Sequence, residues 1–175
     1  MRYLSFIYSI VIVCTLVLLA SCDKDPCEDL ACDTVGGNCV NGICQCNENY
    51  EGLDCSSLLR DKFLGTYLVT PTCGGTADNP YTVTITGSGA SLSKILIENF
   101  GNTPCGATIS ATVDNNFISV DDDGGVCVTA DEEYRIEGTG QMSSADSSFT
   151  VSYVVTHAFF GTELSTSCTA TLVRQ

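Results

Sequence analysis

Apolar and polar residues alternate along most of the chain after residue 64. In segment 81–86 each apolar side chain is followed by a threonine, and segments 108–113 and 149–154 keep the same period of two. Alternation of this kind is typical of β-strands that bury one face. It predicts eight strands: 64–70, 80–86, 92–99, 106–113, 116–121, 132–139, 147–157 and 164–173.

Turn residues separate these strands, and the links between them are short. Segments 87–89, 114–116 and 122–125 consist of Gly, Ser, Asn and Asp, which are the residues that turns need. Links this short exclude parallel crossovers. We therefore expect a mainly β chain in which residues 64–175 form an antiparallel meander of about eight strands, either a closed barrel or a sandwich.

The alternation assigns large side chains to the inner face of this meander. Eight strands lined in this way can fill the space between them and leave little cavity. The predicted inward residues are Tyr81, Val83, Ile85, Ile109, Val113, Tyr134, Ile136, Phe149, Val151 and Tyr153.

The first 22 residues have the layout of an export signal. Arg2 precedes an uncharged run from Leu4 to Ala20, and a basic start, an apolar middle and small residues at the cut make a signal peptide. The sequence Leu-Ala-Ser-Cys that ends at Cys22 resembles the lipobox of bacterial lipoproteins. That resemblance implies removal of residues 1–21, lipidation of Cys22 and a short tether at 22–26. The alternative is a membrane-spanning helix, which needs about 20 apolar residues, and this run is shorter.

Four acidic residues follow Cys22 at the start of the expected mature chain: Asp23, Asp25, Glu28 and Asp29. They resemble the surface-export signal of lipoproteins from the Bacteroidota phylum, and a solvated tether is the alternative. We expect a protein anchored to a membrane by lipid, at the outer membrane and cell surface or on the periplasmic face.

The chain has 12 cysteines, and their positions divide them by role. Cys14 lies in the segment expected to be removed, and Cys22 takes the lipid. Six more lie within 27–55, and four are spread over 73–168. Two even sets are what disulfides in an exported protein require, and they leave no thiol to act as a nucleophile.

The six clustered cysteines follow the spacing C-x4-C-x6-C-x4-C-x-C-x8-C. Segment 44–55 matches the C-x-C-x5-G-x-x-C ending of EGF-like modules, with Tyr50 two residues before Gly52. Residues 27–55 therefore resemble an EGF-like domain, with a linker at 56–63. A segment this short needs cross-links to fold, whereas a zinc site would favour C-x2-C pairs. The resemblance implies the disulfides Cys27–Cys39, Cys32–Cys44 and Cys46–Cys55.

The four late cysteines allow three pairings. If the sheet closes, the first and last strands become neighbours, which favours Cys73–Cys168 and leaves Cys105–Cys127. Closure would also bring together Gly65 and Tyr67, which open the first predicted strand, and Arg174, which follows the last. These residues resemble the lipocalin pattern, which has Gly-x-Trp in the first strand and a basic residue over that aromatic, but here tyrosine stands in place of tryptophan. The alternative is that Tyr67 is an ordinary core residue.

The formal net charge of −14 narrows the choice of partners. A chain this acidic repels phosphate backbones, which excludes nucleic acid as a partner.

The segment 121–125 contains D-x-D-x-G, so Asp121 and Asp123 are candidate Ca²⁺ ligands. An ordinary turn rich in Asp and Gly is the alternative. We expect no cofactor and no other metal.

Candidate catalytic groups are few. His157 is the only histidine, so a Ser-His-Asp triad would have to use it. No Gly-x-Ser-x-Gly elbow surrounds any serine. We therefore expect no enzymatic activity, and we place His157 in a loop or at a strand end near a hairpin tip.

Phe159 and Phe160 form the conspicuous apolar pair between predicted strands. Exposed, they could anchor a partner; the alternative is that both rings fold back over the end of the barrel. The leading function is non-catalytic binding or display of a protein or glycan, with the EGF-like module as a stiff spacer. A lipocalin-like carrier of a small ligand is the alternative, and a hydrolase is less favoured.

Overall fold

The computed structural model describes residues 25–103, 106, 108–121, 125–129, 132–143 and 147–175. Most of these residues lie in strands, and two short 3-10 helices span Leu59–Phe63 and Phe100–Asn102. Within the described ranges, neither helix has the length or the apolar character needed to cross a membrane. The strands are β1 (Gly37–Val40), β2 (Ile43–Cys46), β3 (Tyr50–Glu51), β4 (Ser57–Leu58), β5 (Gly65–Cys73), β6 (Thr76–Ala77), β7 (Tyr81–Gly87), β8 (Lys94–Glu98), β9 (Thr108–Asp114), β10 (Phe117–Val120), β11 (Val126–Val128), β12 (Glu132–Met142), β13 (Ser148–Phe159) and β14 (Thr162–Arg174).

The cysteine-rich segment is built around one hairpin. Strands β1 and β2 pair antiparallel, and the turn residues Asn41 and Gly42 have φ values of 52° and 79°. Both values are positive, as a two-residue turn of type I′ requires. Three disulfides hold the segment, and they are the pairs that the EGF-like resemblance implies: Cys27–Cys39, Cys32–Cys44 and Cys46–Cys55.

The larger sheet closes into a barrel of eight antiparallel strands. The strand order is β10-β9-β8-β7-β5-β14-β13-β12, and the last strand in this order, β12, also pairs with the first, β10. The sequence did not distinguish a barrel from a sandwich, and the pairing of β12 with β10 makes the fold a barrel. Each predicted strand overlaps one strand of the barrel. The short strands β6 and β11, which add to β5 and β12, were not predicted.

The inner face of the barrel is filled by side chains. Eight of the ten predicted inward residues are buried, whereas Tyr81 and Tyr134 are half-buried. At one end of the core the ring of Phe149 packs edge-on against Phe63 and Tyr67, with ring centroids 5.7 and 5.2 Å apart. Large apolar side chains thus occupy the interior, as expected for a small barrel.

A disulfide joins the first and last strands of the barrel. Cys73 on β5 lies directly opposite Cys168 on β14, and the two form a disulfide with Cα atoms 4.1 Å apart. This is the pairing that closure of the sheet favours. The other expected pair, Cys105–Cys127, remains a prediction, because Cys105 and the side chain of Cys127 lie outside the described residues.

The 3-10 helix Leu59–Phe63 fixes the cysteine-rich segment to the barrel. Lys62 Nζ lies 2.7 Å from Glu51 Oε2 and 2.9 Å from Asn116 Oδ1, so it bridges β3 and the β9–β10 turn. Arg60 Nη1 donates to three carbonyl oxygens of the β7–β8 turn region, those of Ser88, Ser91 and Lys94. We call this end of the barrel, where β5 begins, the proximal end; the end where β5 finishes at Cys73 is the distal end.

Candidate functional site

Part of the barrel wall projects beyond the distal end. Strand β14 pairs with β5 only from Cys168 to Arg174, whereas its pairing with β13 continues to Thr162. Residues 162–167 of β14 therefore extend past β5, by roughly 20 Å at the usual rise per residue. Strands β12 and β11 accompany them. We call this projecting sheet, residues 126–128, 132–135 and 155–167, the overhang.

The tip of the overhang is a tight turn with an unusual residue. Phe160 and Gly161 connect β13 to β14 with φ values of 46° and 77°, the signs of a type I′ turn, which favours Asn-Gly. Among the described residues, seven other than glycine have positive φ; five are asparagines, and the other two are Cys55 and Phe160. A bulky residue in this conformation costs about 1–3 kcal/mol.

The two phenylalanines at the tip are accessible. Phe160 is 81% exposed and Phe159 is 42% exposed, and their rings meet edge-on at 4.4 Å. The alternative that both rings fold back over the barrel end is wrong, because β13 and β14 carry them past that end. A shallow cavity of about 390 Å³ lies between this pair and the carboxylates Glu132 and Glu133.

Three side chains form a connected cluster on the inner face of the overhang. The rings of Tyr134 and His157 stack in parallel, 4.5 Å apart, because these residues are opposite each other in the β12–β13 register. The Tyr134 hydroxyl donates to Glu132 Oε2 at 2.8 Å, and His157 Nε2 lies 3.4 Å from Glu132 Oε1. The hydrogen bond to the Glu132 carboxylate raises the pKa of Tyr134 above its ordinary value.

His157 is a strand residue and does not lie in a loop. It sits within β13, two positions before Phe159 on the same face, and its ring also approaches Phe159, at 6.2 Å between centroids. The sequence indicated a position near the hairpin tip but did not identify this cluster. The signal was available, because Tyr134 and His157 continue the inward alternation of the barrel.

A second cavity, of about 260 Å³, opens at the distal mouth of the barrel beside Cys73. Tyr81 and Tyr153 contribute their hydroxyls, and the backbone N–H of Gly101 donates to the Tyr81 hydroxyl at 3.0 Å. Burial raises the pKa of Tyr153, and the neighbouring Tyr81 and Asp78 raise it further. This cavity is below the roughly 300–1,000 Å³ of ordinary small-molecule pockets.

The calcium candidate Asp121 is engaged by the barrel wall. Its carboxylate accepts hydrogen bonds from Lys94 Nζ at 2.8 Å, Ser110 Oγ at 2.5 Å and Thr112 Oγ1 at 2.6 Å. Burial by itself would raise the pKa of Asp121, but these donors together lower it below the ordinary value. Asp123 lies outside the described residues, as does Cys22. In the described part of the chain, no group of three or more acidic, histidine or cysteine side chains is placed to hold a metal.

Comparisons with known proteins give distant structural neighbours. No protein-family model matches the sequence, and no curated protein matches it. A redesigned β-barrel is 16% identical over 67% of this chain and 95% of its own, with a TM-score of 0.36. A structural-genomics protein of unknown function from Bacteroides ovatus is 15% identical over 63% of this chain and 41% of its own, with a TM-score of 0.38.

These similarities are too low to carry an argument, so the class of the protein rests on its own strand pairing. The chain is a closed eight-stranded antiparallel β-barrel preceded by a disulfide-rich segment. A barrel of this kind is compatible with a binding role or a carrier role, and the overhang is its candidate functional surface.

Proposed function

We propose that the chain is a lipoprotein held to a membrane through acylated Cys22, and that its overhang binds a protein or glycan partner without catalysis. The observation that carries the proposal is the exposure and backbone conformation of Phe160. A large aromatic side chain stands almost fully exposed in a backbone conformation that it disfavours. Strain of this kind persists where the surrounding structure enforces it and is concentrated at functional sites.

The opposite positions of the junction and of Phe160 along the barrel support the proposal. The junction to the cysteine-rich segment lies at the proximal end, where Lys62 reaches Glu51 and Asn116. Phe160 lies at the opposite end. Strand β14 runs from the turn at Phe160 to the proximal end, and its 13 residues span roughly 40 Å. A lipid on Cys22 would therefore leave the aromatic tip pointing away from the membrane, at the outer surface or in the periplasm.

The rigid junction supports a display role. Arg60 and Lys62 tie the linker helix to the β7–β8 and β9–β10 turn regions, and β3 and β4 pair across the end of the cysteine-rich segment. A spacer fixed at several points loses little further freedom when the tip binds, which favours affinity.

The filled interior favours surface binding over a carrier role. Side chains occupy the space inside the strands, and the mouth cavity is small. The cluster around His157 offers a carboxylate and a tyrosine hydroxyl that are already bonded to each other. A hydrolase would need a free nucleophile beside His157, so we infer no catalysis.

Partner capture by the full chain tests the surface. The wild-type protein, in detergent, is used to capture proteins from surface-labelled cells and is also applied to a glycan array. In the variant Phe160→Asn the turn receives the residue it favours, so we expect an unchanged or higher melting temperature together with lost capture. The control is Phe117→Asn, which removes another half-exposed aromatic at the proximal end and should leave capture intact.

Capture that is equal in the wild type and in Phe160→Asn would remove the tip from the function. The anchor is tested separately by mass spectrometry of the mature N-terminus. We expect an acylated Cys22 in the wild type and no acyl incorporation in Cys22→Ala. An unmodified Cys22, or a cut at another position, would refute the lipoprotein assignment.

A further inference from the structure

Strand β14 has an open edge along the overhang. On one side it pairs with β13 over its whole length, but on the other side its pairing with β5 stops at Cys168. Strand β6, which extends β5, lies on the β7 side of β5, since it pairs with Thr72 and Cys73 beyond the end of the β5–β7 ladder. Within the described part of the chain, no strand pairs with this side of residues 162–167, and only Ser167 has a backbone partner there, the N–H of Gly74.

The backbone groups that face this open edge can be assigned from the ladder. Ser167 accepts from the N–H of Gly74, and the N–H of Gln175 reaches Thr66 on β5. The N–H of Arg174 points the other way and donates to the carbonyl oxygen of Ser147, just before β13. Because N–H and C=O groups alternate sides along a strand, the odd-numbered residues face outward. Glu163 and Ser165 therefore present their backbone N–H and C=O to the open edge.

The side chains do not obstruct this edge. Proteins usually protect an exposed edge with charged side chains, lysine above all, or with proline, a bulge or a covering segment. Residues 162–167 read Thr-Glu-Leu-Ser-Thr-Ser; Glu163 is their one charged residue, and they contain neither proline nor lysine. Leu164, on the same face as Phe159, is 67% exposed, so an apolar side chain lies next to the free hydrogen-bonding groups.

The charges around the edge define what can bind there. Glu163 lies on the edge strand, Glu132 lies across the sheet, and Arg135 is already paired with Glu133 at 3.2 Å. The chain as a whole carries a net charge of −14. A second copy of this chain would bring the same acidic surface to the edge and be repelled, whereas a basic segment would be attracted.

We infer that the partner is an extended basic peptide segment that adds to β14 as a further strand beside residues 162–167. This rests on the proposed binding function and specifies its partner. The peptide backbone would pair with Glu163 and Ser165, and its alternate side chains would lie on opposite faces of the sheet. Apolar side chains would cover Leu164, and lysine or arginine side chains would lie beside Glu163.

Selection from a displayed library of random peptides, about twice as long as the open edge, supplies the probe. The library is panned against the full chain in detergent, and recovered peptides are synthesised for affinity measurement. We expect sequences in which apolar residues alternate with lysine or arginine. Their affinity should fall as salt is raised, and Glu163→Lys should weaken it.

Ser165→Pro is the decisive variant. It removes the outward N–H and fills the edge, yet proline is tolerated where the lost N–H faces solvent, so the barrel should melt normally. We expect at least about a tenfold loss of peptide affinity. The matched control is Ser165→Ala, because both variants lose the Ser165 hydroxyl contact to Thr156 but only the proline variant loses the N–H. The alanine variant should bind as the wild type does.

Amide hydrogen exchange provides a readout specific to strand addition. Bound peptide should slow exchange at the outward amides of Glu163 and Ser165. The amides of Leu164 and Thr166 point to β13 and should change little. Equal protection at all four, or none, would contradict pairing at the edge.

Four results overturn the inference, and the first three concern peptide binding and self-association. They are peptides that bind Ser165→Pro as tightly as the wild type, a library that yields no binder, and a dimer in sedimentation that Ser165→Pro dissolves. A glycan that binds through the tip while no peptide does would also overturn it. In that last case the loss of glycan binding by Phe160→Asn would still uphold the proposed function, so the two failures can be told apart.

Discussion

The guanidinium of Arg174 lies over the ring of Tyr67, 5.5 Å from the ring centre, and its Nη2 donates to the Tyr67 hydroxyl at 2.8 Å. The same guanidinium also donates to the carbonyl oxygen of Lys62. Tyr67 is fully buried, so the last strand seals the proximal end over the first. An aromatic residue and a basic residue thus meet as the lipocalin resemblance implies, with tyrosine in place of tryptophan.

Removal of Arg174 should destabilise the barrel. Arg174→Ala leaves the buried Tyr67 hydroxyl and the Lys62 carbonyl without a charged donor, and a hydrogen bond to a charged group contributes about 1.5–3 kcal/mol. For a chain of this size we expect thermal melting roughly 4–8 °C lower. The control is Arg135→Ala, which breaks an exposed pair with Glu133 and should change stability by less than about 1 kcal/mol. A melt of Arg174→Ala within a degree of the control would contradict this role.

The disulfide between the first and last strands should stabilise the barrel substantially. Cys73 and Cys168 are separated by 95 residues, and closing a loop of that length is worth about 4–5 kcal/mol in the chain-entropy model. The double variant Cys73→Ala, Cys168→Ala should therefore unfold at markedly lower urea concentration. Peptide mapping without reduction verifies the bond first. A map that links Cys73 to Cys105 or Cys127 would refute the pairing.

Asp121 should make the barrel sensitive to acid. Its pKa is lowered in the folded state because the donors Lys94, Ser110 and Thr112 outweigh the effect of burial. The stabilisation is therefore fully present above the ordinary aspartate pKa of about 3.9 and is lost as the pH falls through the lowered folded-state value. Unfolding free energies measured from pH 7 to pH 2 should fall less steeply in Asp121→Asn, which starts lower at pH 7.

The control for Asp121 is Asp114→Asn, since that carboxylate accepts from its exposed neighbour Asn115. Asp114→Asn removes a single exposed contact, so it should lower the unfolding free energy at pH 7 by less than Asp121→Asn does. If added CaCl₂ raised the melting temperature of the wild type but not of Asp121→Asn, Asp121 would be a metal ligand. Its assignment as an acceptor for the donors of the barrel wall would then be refuted.

Gly36 should be essential to the cysteine-rich segment. A Cβ at this position would lie 1.8 Å from the carbonyl oxygen of Cys55 and 2.7 Å from the ring of Tyr50. The backbone cannot yield that far while the Cys46–Cys55 disulfide holds. Gly36→Ala should therefore leave free or mispaired thiols, detected by alkylation and mass spectrometry. Gly89→Ala meets no atom within 4 Å and should fold as the wild type; full oxidation of Gly36→Ala would disprove the close approach.

The sequence determined the strands and their buried faces, because a period of two depends on local geometry alone. Ile85, Val113 and Val151 alternate with polar neighbours, and each is buried in the barrel. The cysteine spacing carried information of another kind, since six cysteines allow 15 pairings and only the resemblance to EGF-like modules implied the three that are found. Neither pattern depends on which strands become neighbours.

Only the tertiary structure decided the closure and the overhang. The pairing of β10 with β12 makes a barrel, yet it joins segments whose alternation would suit a sandwich equally well. The exposure of Phe160 and the open edge at Ser165 follow from β5 ending at Cys73 while β14 begins at Thr162. Strand register sets these relations between residues distant in the chain, and the alternation of one strand says nothing about where its neighbour stops.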